Sequence, residues 1–389
     1  MPPVGIVGLG AYVPPKVMTN EDWAELIDTS DDWITTKTGM KERRIAADDV
    51  CTSDLAVNAC RQALEEAGIG PEDVDLLILA TSSPDVPLSS TAGITQHKLG
   101  CTNAAAFDVN AVCAGWVHAL DIGGRFAGTP GYDNVLVVGA EVYSRILNWE
   151  DRTTCVLFGD GAGAAVLQQV DEGRGLLGSW MMSDGAGAGV IEIPAGGVRK
   201  PIPSSGFEDG DQYFHMDGRA VWDFATEAFP QAVKAVLERI DYSLEDVSMI
   251  IPHQANINII KTGMEKLGLP MEKTFTNLHK YGNTAGASVP IAMREAIEEG
   301  LITEGDLVIT VAFGGGLAWG ANAFILLIIN PEASKFQRRH RKSEYCHLDS
   351  VRKPYQSHQS IPTAHVRSTL HLVVDLASVD LPQGPLGTD

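Results

Sequence analysis

Cys113 lies in the run Phe107-Asp108-Val109-Asn110-Ala111-Val112-Cys113-Ala114-Gly115-Trp116, where a strand pattern gives way to helical spacing of apolar residues. A thiol at the start of a helix faces the positive end of the macrodipole, which favours thiolate and therefore nucleophilic attack. Ala111, Ala114 and Gly115 leave room for a substrate to approach. Taken alone, a cysteine among alanines also fits a buried small hydrophobe, which is its commoner role. His253 follows Ile250-Ile251-Pro252 and precedes Gln254-Ala255-Asn256. A polar cluster at the carboxyl end of a buried strand suits a site, although a single histidine there also serves structure. Asn283 sits in His279-Lys280-Tyr281-Gly282-Asn283-Thr284-Ala285-Gly286-Ala287, and a turn alone accounts for Gly-Asn-Thr. Phe313-Gly314-Gly315-Gly316 ends the last strong strand; its glycines are either a tight turn or backbone that brings N–H groups to a ligand carbonyl. A sulfur nucleophile and backbone donors near a ligand carbonyl are groups that nucleophilic catalysis and oxyanion stabilisation can use, and each of these residues also has a structural reading.

Two glycine-rich segments carry less. Gly8-x-Gly10 resembles a dinucleotide loop, but the third glycine is missing and Pro14-Pro15 replaces the expected helix. Phe158-Gly159-Asp160-Gly161-Ala162-Gly163 lacks the Gly-Lys-Ser/Thr of a phosphate loop.

The elements that must position these residues come in two similar sets. Leu64-Glu65 is followed by Glu72-Asp73-Val74 and the apolar run Leu76-Leu77-Ile78-Leu79. Leu237-Glu238 is followed at the same spacing by Glu245-Asp246-Val247 and Met249-Ile250-Ile251. The same offset sets Asp133-Asn134-Val135-Leu136-Val137-Val138 on Asp306-Leu307-Val308-Ile309-Thr310-Val311, and Gly161–Leu167 has a counterpart in Gly320–Leu326. Each set reads as helix, tight turn and short buried strand, so internal duplication is expected. Alternating helices and buried strands imply an α/β protein with helices on both faces of its sheets. The halves are placed at 1–172, carrying the nucleophile, and 173–329, carrying His and Asn, with the site where they meet.

The chain has 389 residues, 44% hydrophobic and 20% charged, which is ordinary globular composition with ample length for a large core. A formal net charge of −21 argues against nucleic-acid binding, which needs a basic face. The N-terminus lacks a secretory pattern, and Val308–Ile329, the nearest approach to a membrane span, is broken by Gly314-Gly315-Gly316 and Asn322. Six widely spaced cysteines without a Cys-x-x-Cys pair suit reduced thiols and a cytoplasmic protein, with no metal site expected. Residues 330–389 change character, with the basic stretch Arg338-Arg339-His340-Arg341-Lys342 and five of the ten histidines. They read either as a basic arm for membrane or nucleic acid, or as an extension outside the fold. The completeness of the duplicated core by about Ile329 favours the extension, disordered or non-native.

The set Asp28-Thr29-Ser30-Asp31-Asp32-Trp33-Ile34, Lys37-Thr38-Gly39, Phe107 through Gly115, Phe158 through Ala164, His253-Gln254-Ala255-Asn256, His279 through Ala287 and Phe313–Gly316 resembles the thiolase superfamily. Within it, the resemblance is to the β-ketoacyl-acyl carrier protein synthase III family, and it runs from about Val4 to Ile329. That resemblance implies a thiolase-like fold of two similar α/β halves in α-β-α-β-α layers. It implies that Cys113 takes an acyl group from an acyl-CoA primer, with the carbonyl charge held by the N–H groups of Cys113 and Gly315. His253 and Asn283 would then stabilise the enolate left when a malonyl group on acyl carrier protein loses carbon dioxide, and that enolate would attack acyl-Cys113 to start a fatty acid. Relatives that elongate use two histidines and thiolases use a second cysteine, so Asn283 favours the decarboxylating initiator type.

The resemblance further places Trp33, Lys37 and Arg152 at CoA, with Lys37 where arginine is common. Leu88 and Phe313 fall at the acyl pocket, Leu88 reaching a dimer partner's pocket and leaving room for a longer or branched primer. Asn258, Lys261 and Lys266 fall at the carrier-protein contact, and Asn258 replaces a basic residue there. A homodimer without cofactor is implied. Two other readings stay open: an acyltransferase or ketosynthase of secondary metabolism on the same fold, and a noncatalytic binding protein.

Overall fold

The computed structural model describes residues 2–327. The reading of residues 330–389 as an extension lies outside them.

Thirteen strands and nine α-helices alternate along the described residues. The first half holds β1 (Val4–Tyr12), β2 (Lys16–Thr19), α1 (Asn20–Leu26), α2 (Asp31–Thr38), β3 (Glu42–Ile45), α3 (Thr52–Ala67), β4 (Leu76–Ala80), α4 (Thr91–Leu99), β5 (Ala105–Val109), α5 (Gly115–Ala127), β6 (Val135–Glu141) and β7 (Gly161–Gln169). Then come β8 (Gly175–Ser183), β9 (Ile191–Glu192), β10 (His215–Met216), α6 (Gly218–Ile240), β11 (Met249–Pro252), α7 (Ile257–Leu267), α8 (Leu278–Tyr281), α9 (Ser288–Glu298), β12 (Leu307–Gly314) and β13 (Ala318–Ile325).

Sequence pattern decides which strands are central. β4 and β6 are continuous apolar runs, buried along their whole length, as strands covered on both faces must be. They pair in parallel inside a sheet of order β1-β7-β6-β4-β5. The second sheet, β11-β12-β13-β8, repeats the plan: β11 and β12 pair in parallel, then β13 and β8 follow antiparallel. The register repeats too, with Leu76 opposite Val135 and Met249 opposite Val308. The spacing identified in the sequence therefore marks equivalent positions in two sheets.

Helices complete the layers. α3 buries Leu55, Ala56, Ala59, Cys60, Ala63 and Leu64, a stripe at helical spacing, against β1 and β7. α6 and α7 cover the outer face of the second sheet. Between the sheets lie α5, which touches β4, β6 and β13, and α9, which touches β1, β7 and β11. The result is α-β-α-β-α, as the resemblance implied. Each middle helix is entered through a single 3-10 turn, Val112–Ala114 before α5 and Ala285–Ala287 before α9, and the two turns touch.

Two motifs prove to be structural ties. Asp160, buried in the glycine-rich segment, accepts from Ala46 N at 2.7 Å and from Ser144 N and Oγ at 3.0 and 2.6 Å, so its glycines serve packing. Arg43, on β3 and fully buried, donates to the carbonyl of Val156 and to Asn20 Oδ1, and Asn20 in turn donates to Asp31 at 2.7 Å. The guanidinium is thus hydrogen-bonded in the interior, as a buried charge must be.

Candidate active site

The nucleophile turn is strained in a useful way. Val112 takes φ 48°, a left-handed conformation that valine seldom adopts, and this bend sets Cys113 between β5 and the first turn of α5. Cys113 is 6% exposed. The end of β12 presses against it: a Cβ on Gly314 would lie 2.8 Å from Cys113 N, so only glycine fits. Gly315 follows on the next peptide, its α-carbon facing Ile191 and Val112. Here the structure adds Gly314, which the sequence reading had left within a generic glycine run.

His253 emerges directly from β11, its N–H donating to Val311 O at 2.8 Å, and the ring is 1% exposed. Nδ1 lies 2.6 Å from Ser288 Oγ, and among the described residues no group bonds Nε2. The Phe313 ring packs edge-on, with centroids 5.5 Å apart. Burial pulls the imidazole down to about 3, so it is neutral near pH 7.

Asn283 is fixed by its backbone, which donates to Leu157 O at 2.9 Å and accepts from Gly159 N at 3.0 Å. Gly282 before it has φ 65°, and a Cβ there would meet Arg43 Cγ at 2.9 Å, so the buried arginine props this loop from behind. Asn283 Oδ1 accepts from Ala285 N at 2.8 Å, and Nδ2 has no partner among the described residues. Cys113, His253 and Asn283 line one cavity with Phe313 and Gly314, walled by Phe158, Phe214 and Trp222. The three residues are far apart in sequence and come together as the spacing argument required. Chemically the cavity offers a sulfur nucleophile, a neutral imidazole and a carboxamide N–H, groups that suit thioester exchange and the holding of an enolate oxygen.

One expectation is corrected. The start of α5 was expected to lower the Cys113 thiol, but burial pushes it above its ordinary value of 9.0, and the carboxylate of Glu141 pushes it further. Desolvation of the anion outweighs the macrodipole in this enclosed setting. Glu141 itself, the acid at the end of otherwise apolar β6, is fully buried and accepts from Thr81 Oγ1, from Ser82 N and Oγ, and from Ser83 N and Oγ. Burial raises it to about 7 against those bonds. An acid inside a buried run was the signal available in the sequence, and it was missed; Ser288 had no signal of its own. Substituting Glu141→Gln removes the neighbouring charge, so iodoacetamide should alkylate Cys113 several-fold faster at about pH 8, since only thiolate reacts. In the native protein the rate should climb through about pH 9 without levelling. Site-resolved mass spectrometry reads both, and a native plateau below about pH 8 contradicts the assignment.

The remaining expected residues divide. Arg152 places its guanidinium 5.8 Å from the Trp33 ring centroid and also bonds Asp28 O at 2.9 Å, so these two do meet at the surface. Lys37 is exposed at the end of α2, and its carbonyl accepts from Asn256 and Asn258, each at 3.0 Å. The Asn258 amide is therefore turned onto α2. Lys261 is exposed on the same helix, and Lys266 pairs with Glu227 at 2.5 Å. Phe313 lines the cavity, whereas Leu88 is 90% exposed and outside the cavity of its own chain.

Comparison with known proteins follows the same outline. Residues 107–185 match the family profile described as 3-Oxoacyl-[acyl-carrier-protein (ACP)] synthase III, and residues 237–325 match that of its C-terminal part. The chain is 50% identical over 318 residues to the β-ketoacyl-[acyl-carrier-protein] synthase III of Caldanaerobacter subterraneus subsp. tengcongensis, covering 82% of this chain and 96% of that protein. The crystal structure of 3-oxoacyl-[acyl-carrier-protein] synthase III from Aquifex aeolicus superposes with TM-score 0.77 at 42% identity, over 83% of this chain and 100% of that one. The priming β-ketosynthase of a polyketide pathway superposes with TM-score 0.76 at 32% identity, over 83% and 96%.

Proposed function

The chain belongs to the β-ketoacyl-acyl carrier protein synthase III family, and from that premise we propose that it condenses an acyl-CoA primer with malonyl-acyl carrier protein through acyl-Cys113. Cys113 Sγ attacks the primer carbonyl, the N–H groups of Cys113 and Gly315 hold the oxyanion, and the thiol proton leaves with the CoA sulfur. The malonyl thioester then places its carbonyl oxygen between His253 Nε2 and Asn283 Nδ2. Carbon dioxide departs, the enolate attacks the acyl carbon, and the β-ketoacyl thioester frees Cys113. The observation that carries this reading is that His253 Nε2 and Asn283 Nδ2, both without partners among the described residues, share one cavity with the sulfur. No metal or cofactor takes part in these steps.

CoA is held by Trp33 and Arg152, whose side chains meet at the surface, with Lys37 on the same helix as Trp33 supplying a positive charge toward the phosphates. Carrier docking falls to Lys261 and, by exchange of its surface pair with Glu227, to Lys266, while the Asn258 amide is turned onto α2. Loss of one exposed ion pair weakens such a complex by about 0.2–1 kcal/mol. The exposed Leu88 supports a homodimer in which it enters the partner's acyl pocket. The halves divide near residue 172, sulfur in the first and donors in the second.

Incubation with acetyl-CoA and with longer or branched acyl-CoAs, followed by intact-mass analysis, tests the reading. One acyl group per chain, mapping to Cys113 and discharged by malonyl-acyl carrier protein, is expected. Faster loading from branched or longer primers than from acetyl-CoA is expected from Leu88, and equal or better acetyl loading removes that part. A ketosynthase of secondary metabolism remains a second reading, favoured by Asn258 and by the likeness to the priming ketosynthase. Failure to discharge onto the malonyl carrier of fatty acid synthesis, with discharge onto another carrier, would decide for it.

A further inference from the structure

Ser288 is the first residue of α9 and is 1% exposed. Its Oγ lies 2.6 Å from Nδ1 of His253, and the backbone N–H of Gln254 points at the same oxygen from 3.4 Å. We propose that Ser288 is a positioning residue for the condensation step: it donates its hydroxyl proton to Nδ1 and so holds His253 as the tautomer that carries its proton on Nε2, facing the cavity. This rests on the reading of His253 as a donor to the thioester oxygen.

The short contact could be made in two ways, and the surroundings choose between them. If Nδ1–H donated to Oγ, the serine proton would need another acceptor, and the described residues give that hydroxyl none. The Gln254 N–H can only donate. A buried hydroxyl proton without an acceptor is unfavourable enough to bias the two tautomers roughly tenfold or more. In that arrangement Nε2 would also turn a lone pair toward an oxygen gaining negative charge. If Oγ–H donates instead, the peptide N–H rests on Oγ, the serine proton rests on Nδ1, and Nε2–H is free for substrate. Every polar atom in the set is then used once.

The frame around the pair is stiff. Gln254 Nε2 donates to Pro252 O at 2.7 Å, and its Oε1 accepts from Asn277 N at 2.9 Å, which fixes the chain just after the histidine. The Phe313 ring stands edge-on to the imidazole, limiting a flip. Burial keeps a second proton off the ring at working pH, so the tautomer is the variable left to set.

The test separates the two half-reactions. In Ser288→Ala, loading of Cys113 from acyl-CoA should stay within about twofold of native, while single-turnover condensation of preloaded protein falls about tenfold or more. Ser288→Thr, which keeps the hydroxyl, should recover most of that loss. Nitrogen-15 spectra of histidine-labelled protein, assigned with His253→Gln, should show Nε2 protonated in the native form and the two ring nitrogens moving toward a common shift in Ser288→Ala. A native spectrum with the proton on Nδ1 overturns the proposal. So does an unimpaired Ser288→Ala beside a crippled His253→Ala. An unimpaired His253→Ala removes the reading of His253 itself, a distinct result.

Discussion

A Cys113→Ser protein incubated with acyl-CoA is expected to show no acyl mass shift and no condensed product, a loss on the order of 10⁴-fold or more. The hydroxyl is a far weaker nucleophile than sulfur, and the site offers no base to activate it. His253 is committed as a neutral donor, held by Ser288 on Nδ1 and depressed to about 3 by burial. Glu141 is occupied by five hydroxyl and backbone donors. The substitution is conservative in size at a 6% exposed position, so thermal stability should change little. Decarboxylation of malonyl-acyl carrier protein should persist, because the two donors that stabilise the enolate remain. Intact mass for loading and carbon dioxide release for decarboxylation report the two halves separately. Label taken up by the serine protein, with product formed, would end the account of Cys113.

The second large effect belongs to the donors. His253→Ala and Asn283→Ala should each lower condensation roughly 100-fold, near 3 kcal/mol, the scale for removing one oxyanion donor. Loading of Cys113 should be largely spared in both, since the primer oxyanion is assigned to backbone N–H groups. The double variant should lose less than the product of the single losses, because both donors serve one oxygen and neither is fully effective alone. Single-turnover measurements on preloaded protein are the appropriate readout. Loss of loading in step with condensation would mean that His253 and Asn283 act on the sulfur instead of the malonyl oxygen.

Much of this site was legible in the chain, for definable reasons. Cys113, His253 and Asn283 stand where buried strands or turns end, and local pattern reveals such ends. The duplicate offset showed itself because β4 and β11, and β6 and β12, are continuous apolar runs. Contacts between distant segments were not legible. Ser288 reaches His253 from 35 positions away, and Glu141 acts on Cys113 from a neighbouring strand. For the same reason the thiol's acidity was misjudged: the helix start is local, whereas burial and the carboxylate are assembled only by folding. The resemblance placed Asn258 at the carrier-protein contact, and folding draws its amide to the carbonyls of Thr36 and Lys37.

The touching turns 112–114 and 285–287 hold equivalent places in the two halves, and strict symmetry would set a second side chain opposite Cys113. Gly286 stands opposite Cys113 instead, and a Cβ there would come within 3.2 Å of Glu141 Oε1. Symmetry is broken by the deletion of one side chain. One lobe supplies the sulfur and the other the imidazole and the carboxamide, so two copies of one plan bring different chemistry to a single cavity.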